Sequence, residues 1–133
     1  MGTTAWTAGF AVAVGTLAAA CRPVAAPTTP PASTVIAILG VGDERFRIRL
    51  TTDAQVRAAR AAQAGGPARI PNGRLVAGAD ANVGWSWHLE DVEFAEVAIE
   101  VCDGRPSEVE HAGVSFGGGR YCPWSATVID VKP

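Results

Sequence analysis

The spacing of apolar and polar residues changes along this chain, and each change marks an element. Val35-Ile36-Ala37-Ile38-Leu39 is a continuous apolar run ended by Gly40, the pattern of a buried strand. Phe46-Arg47-Ile48-Arg49-Leu50 alternates with period two, placing Phe46, Ile48 and Leu50 on one face and arginines on the other. Asp53 to Ala64 then reads as the main helix. Thr52 is its N-cap, Gln55 completes a capping box three residues on, and Gly65-Gly66-Pro67 stops it. Ala54, Ala58, Ala61 and Ala62 would let this helix lie close against a sheet.

Leu75-Val76-Ala77 and Trp85-Ser86-Trp87-His88-Leu89 are two more strands, joined by a polar loop. Val97-Ala98-Ile99-Glu100-Val101-Cys102 predicts a further strand, ended by Asp103-Gly104. Ser107 with Glu110 predicts a second capping box, opening a short helix that Gly113 closes. Tyr121 to Val131 supplies the last strand. This order predicts a small single α+β domain with a mainly antiparallel sheet, one main helix and one short helix.

The first residues differ in kind. An apolar stretch from Ala5 to Ala20 is shorter than the about 20 residues of a membrane-spanning helix and ends in Leu17-Ala18-Ala19-Ala20-Cys21. Small residues before a cysteine at that depth resemble the lipobox of a bacterial lipoprotein precursor. There the signal peptide is cut just before the cysteine, whose thiol carries diacylglycerol. The leucine lies four residues before Cys21 where the usual pattern has it at three, and Met1 to Thr4 hold no Lys or Arg. Ordinary signal-peptidase cleavage after Ala20 or Ala26 therefore competes, with an uncleaved anchor third. Residues 22–33 include Pro23, Pro27, Pro30 and Pro31 and cannot form a packed core. The expected organisation is a signal peptide over 1–20, a lipid-anchored Pro-rich linker over 21–33 and a globular domain over 34–133. The protein is then a cell-membrane lipoprotein facing outside the cytoplasm, or else secreted.

There are three cysteines, and in an oxidising compartment an odd count leaves one unpaired. With Cys21 lipidated or removed, Cys102 and Cys122 remain as a pair. A bridge between them would close a loop of about 20 residues and contribute about 3 kcal/mol. The alternative is two buried free thiols acting as small apolar residues. Charge is divided as well. Residues 22–79 carry eight arginines against three acids, a net of +5, and residues 80–133 carry three bases against ten acids, a net of −7. Two such halves most simply neutralise each other across strands. The stripe of Arg45, Arg47 and Arg49 could face phosphates, but export and a pI near 5.6 argue against a nucleic-acid partner.

The chemistry-bearing residues lie in the second half. Trp85, Trp87 and Leu89 share one strand face, with Ser86, His88 and Glu90 on the other. Paired tryptophans are core more often than a stacking platform for sugar or peptide. His88 and His111 are the only histidines; with Ser86, Ser107, Ser115 or Ser125 a Ser-His-Asp set can be drawn, but no nucleophile elbow supports it. No His or Cys stands at metal-ligand spacing, so no metal and no cofactor is expected. Glu90, Asp91, Glu93 and Glu96 lack the Gly-centred loop of a calcium site and read as a solvated face. Gly117-Gly118-Gly119 could cradle an anion, but more simply lets the chain turn before the final strand.

Three segments in combination, Trp85 to Leu89, Ala98 to Gly104, and Gly118-Gly119-Arg120-Tyr121-Cys122-Pro123-Trp124, resemble the N-terminal domain of an amoebal calmodulin-binding protein family, as found in small exported bacterial proteins. The resemblance covers most of residues 43–131. It implies that the cysteines and tryptophans belong to a shared framework, and it brings no catalytic residues. The chain offers no basic amphipathic helix of the kind calmodulin grips, so calmodulin is not an expected partner.

The expected function is a noncatalytic extracytoplasmic binding module. Its partners would be the membrane, through the lipid on Cys21, and an unidentified extracytoplasmic protein or small ligand. His88, Arg120, Tyr121 and Trp124 are the candidate ligand-binding residues, an arginine and aromatics beside a glycine turn. The alternative is a small secreted protease inhibitor using the loop Ala77 to Gly84 or the glycine turn as its wedge; a hydrolase using His88 is a third reading.

Overall fold

The computed structural model describes residues 34–133 together with Gly2 and Gly9. Cys21, the linker and the rest of the expected signal peptide lie outside the described residues. The chain runs β1 (Val35–Val41), β2 (Glu44–Leu50), α1 (Asp53–Gln63), β3 (Ile70–Ala77), β4 (Trp87–Ala95), α2 (Pro106–Ala112), β5 (Arg120–Tyr121) and β6 (Thr127–Lys132). The expected α+β architecture is present, with its antiparallel strands divided into two three-stranded sheets, β2-β1-β6 and β4-β3-β5. No helix among the described residues is long and apolar enough to cross a membrane.

The alternation in β2 does what period two requires. Phe46, Ile48 and Leu50 are buried and pair with Leu39, Ala37 and Val35 of β1, while the arginines face outward. The second sheet closes the same core with Leu75, Trp87, Leu89, Val92 and Tyr121. The rings of Phe46, Trp85 and Tyr121 surround Trp87 at centroid separations of 5.4 to 6.0 Å. The tryptophan pair is thus framework: Trp87 is buried and Trp85 half-buried, its Nε1–H donating to the Arg45 carbonyl at 2.9 Å.

α1 forms as its caps dictate. The Thr52 hydroxyl accepts the Gln55 N–H at 3.2 Å, and Gln55 Oε1 accepts the Thr52 N–H at 3.1 Å. The helix packs chiefly on β6 and β4. Its buried alanine is Ala59, not the expected Ala54 or Ala61, which are exposed. The face is rotated because Val56 and Ala59, three apart, turn inward together.

In β4 an irregularity repositions the strand. Asn72 pairs with Glu93 and Arg74 with Glu90, so Gly73 alone opposes Asp91 and Val92. This is a β-bulge with Asp91 at φ +51°, and it allows both Leu89 and Val92, three residues apart, to face the core. Gly73 fits because a Cβ there would come within 3.0 Å of the Leu89 Cβ. The acidic run is therefore the second half of a strand, longer than the expected one.

Three expectations are corrected. Val97 to Cys102 is not a strand: β4 pairing ends at Ala95 opposite Ile70, and Glu100–Cys102 forms a 3-10 turn. The chain turns there because Cys102 is drawn to Cys122 and Gly117 packs directly on its backbone. Tyr121 to Val131 is not one strand but β5 and β6, in different sheets. Pro123, which has no N–H for a ladder, and a turn closed by the Ala126 N–H on the Pro123 carbonyl separate them. The second capping box also moves. Pro106 takes the first helical position and the Glu108 carboxylate accepts the Arg105 N–H at 2.6 Å, while Ser107 donates to Glu44 and Glu110 accepts the Ser86 N–H.

Candidate functional site

The four residues expected at a ligand site fall into different surroundings. The pairing of Arg74 with both Glu90 and Arg120, and of Val76 with His88, puts His88, Glu90, Arg74 and Arg120 on the outer face of the second sheet. His88 and Arg120 share that face, on strands either side of β3. Tyr121 is corrected: it points inward, is fully buried, and donates its hydroxyl to the Gly104 carbonyl at 2.9 Å. Burial, with Glu44, Asp103 and Glu108 nearby, pushes that hydroxyl's pKa up, so Tyr121 stays a neutral core residue that no ligand reaches. Trp124 lies beyond β5 at 43 % exposure, its N–H held by Asp103 Oδ1 at 2.8 Å.

The outer sheet face is self-neutralised. Arg74 donates to Glu90 at 2.6 Å and to Asp91 at 3.2 Å. The hydrogen bonds from His88 and then from Arg74 hold the Glu90 carboxyl below its ordinary value. His88 Nδ1 lies 2.6 Å from the Gly78 carbonyl and Nε2 lies 3.3 Å from Glu90 Oε1. A carbonyl only accepts, so Nδ1 carries the proton. Neither ring nitrogen meets a hydroxyl. Arg120 Nε is spent on Asn72 at 2.9 Å.

Beside His88 a cleft of about 390 Å³ opens between the end of β2, the start of α1 and β4, lined among others by Arg49, Gln55, Asp80 and Asp91. Arg49 grips Asp80 through two hydrogen bonds, 2.9 and 3.0 Å, and these hold the Asp80 carboxyl below the usual carboxylate range. The lining groups are thus largely committed to one another. Among the described residues no three of His, Cys, Asp and Glu come together in a way that could hold a metal ion.

A residue that pattern reading missed organises this region. Asn82 is fully buried; its Oδ1 accepts the Arg47 N–H at 2.8 Å and its Nδ2 donates to the Trp87 carbonyl at 2.9 Å. β2 is an edge strand, and Asn82 and Trp85 satisfy its free side in place of a neighbour. Nothing in the local sequence marks Asn82 apart from other polar loop residues.

The unmatched surface is elsewhere. Val97, Ile99 and Val101 are 82, 63 and 62 % exposed. They precede Cys102, whose partner Cys122 has its Cα 5.1 Å away and is followed by Pro123 and the exposed Trp124. The Cys122 N–H donates to the Cys102 carbonyl at 2.8 Å, and Gly104 and Trp124 share Asp103 Oδ1. A disulfide thus ties together two segments that each present apolar side chains to solvent. Gly117 makes the tie possible: at φ +56°, any Cβ would stand 2.7 Å from the Cys102 Cα.

Fold and lobe define a small α+β domain of two antiparallel sheets, braced by one disulfide that carries an apolar surface. The chain belongs to the family of calmodulin-binding-protein N-terminal domains that its cysteine segments resemble, and the family model matches residues 32–133. No curated protein and no solved structure matches the chain.

Proposed function

We propose that this domain is a noncatalytic extracytoplasmic binding module that meets a protein partner through its disulfide lobe. One observation carries the reading: Val97, Ile99, Val101 and Trp124 are all exposed on two segments joined by the Cys102–Cys122 bridge. Large apolar side chains grouped on a fixed surface mark interaction sites more often than ordinary surface. The self-paired groups of the His88 cleft support the noncatalytic part. In this reading the signal peptide directs export, Cys21 carries the lipid, and the Pro-rich linker holds the domain off the membrane; release by ordinary cleavage would make it secreted.

Two experiments test it. Mass spectrometry of the mature N-terminus should find a diacylglyceryl group on Cys21; a chain starting after Ala26 would contradict the anchor. A photo-crosslinking amino acid placed at Ile99 in producing cells should give a discrete protein adduct, absent when the probe replaces exposed Arg57 on α1. Equal adducts at both positions, or none at Ile99, would remove the reading.

One observation favours protease inhibition as a second reading. Val83 projects at 68 % exposure from a loop clamped by the buried Asn82 beside it, a rigid tip. Absence of inhibition across a panel of secreted proteases at micromolar concentration would exclude it.

A further inference from the structure

The geometry points to the kind of partner, given that the disulfide lobe is an interaction surface: an extended segment, with Lys or Arg alternating with apolar residues, that adds as a strand along residues 96–101.

The backbone is the first reason. β4 stays in its ladder to Ala95, and the chain then continues outside any sheet until the turn at Glu100. Ile99 is extended, with φ −79° and ψ 146°. Among the described residues, no hydrogen bond reaches the N–H of Val97, Ala98 or Ile99. An extended segment with free amides is a template for another strand.

The side chains are the second reason. Val97, Ile99 and Val101 recur with period two and are exposed, while Ala98 between them is half-buried and holds the segment against the domain. β-branched residues in alternation suit pairing with a neighbouring strand. The segment is fixed at both ends, by β4 before it and by the disulfide after it, so little ordering remains to oppose binding.

Charge selects the occupant. From Glu90 to Asp103 there are six acids and no Lys, Arg or His. Glu90 and Asp91 are engaged by Arg74 and Glu96 by Arg69, but Glu93 and Glu100 have no ion pair among the described residues. A second copy of this segment would place acid against acid, and an anionic lipid surface would be repelled. A basic, apolar strand satisfies both amides and carboxylates.

The test uses the mature protein and a short synthetic peptide alternating Val with Lys. Its controls replace Lys with Glu, or methylate the peptide nitrogens of one edge. NMR titration should show saturable binding of the Lys peptide, with the amides of Val97 and Ile99 protected from hydrogen exchange. The Glu peptide and the N-methylated peptide should bind at least about tenfold more weakly. In the protein, Glu93→Lys with Glu100→Lys should weaken the Lys peptide similarly while leaving the spectrum folded; both residues are exposed, so the fold is not at stake. Equal binding of Lys and Glu peptides, undiminished binding after N-methylation, self-association through this edge, or no binding would each overturn the proposal. A crosslink from Ile99 in cells without peptide binding would remove strand addition alone, whereas absence of the crosslink removes the interaction surface itself.

Discussion

Asn82 shows how much one side chain can hold in place. It satisfies a backbone N–H of β2 and a backbone carbonyl of β4 from a fully buried position. Asn82→Ala leaves both groups unpaired, and the expected cost is about 2–4 kcal/mol in denaturant unfolding. Asn82→Asp keeps the acceptor but loses the donor and buries a charge, so it should not rescue. An unchanged midpoint for Asn82→Ala would refute the clamp. Ionisable residues on the surface act in the opposite way, weakly and with pH. Asp80 and Glu90 have carboxyl pKa values lowered in the folded protein, so what they contribute is present above the ordinary carboxylate range and is lost as pH falls through their folded values. Asp80→Asn should therefore flatten the acid limb of a stability-versus-pH curve below about pH 4 and leave neutral pH little changed. Sequence pattern identified His88 and the tryptophans as structured, but could not single out Asn82. Its role depends on a strand edge that only the fold brings opposite it.

At the scale of elements, legibility followed locality. α1 was readable because Thr52 and Gln55 cap it from within its own first turn. The bulge in β4 was harder, since Leu89-Glu90-Asp91-Val92 departs from period two, yet the departure is itself the trace of the inserted residue. Asp91→Gly should be neutral or slightly stabilising, because φ +51° suits glycine. Asp91→Val should cost about 1–2 kcal/mol, because a β-branched residue is strained there. Equal effects of the two substitutions would argue against the bulge. Residues 97–102 misled for a physical reason: alternation of β-branched residues looks the same in a half-buried strand and in an exposed edge. Burial depends on what packs against the segment, and here the disulfide turns it out of the sheet. The final strand was read as one because Pro123 punctuates it without changing its apolar content.

For the whole molecule, the opposite charges of the two halves do meet. Arg49 with Asp80, Arg69 with Glu96, and Arg74 with Glu90 and Asp91 join the basic first half to the acidic second, while Arg105 reaches back to Asp43 and Glu44. These pairs are exposed and individually weak, so added salt should lower the melting temperature only slightly. The disulfide matters more. Replacing Cys102 and Cys122 with Ala should cost about 3 kcal/mol and loosen the lobe, measured as a drop in melting temperature with the β2-β1-β6 sheet retained. The pairing of those two cysteines was legible from an odd count; the surface it presents was not.

Everything proposed for function rests on residues 97–99 being an exposed, unpaired edge instead of a buried strand. Hydrogen exchange at the Val97, Ala98 and Ile99 amides of the isolated protein tests this most directly. The account predicts exchange near the rate of a free peptide at all three, while Leu89 in β4 exchanges slowly. Protection of these amides comparable to Leu89 in the isolated protein would contradict it.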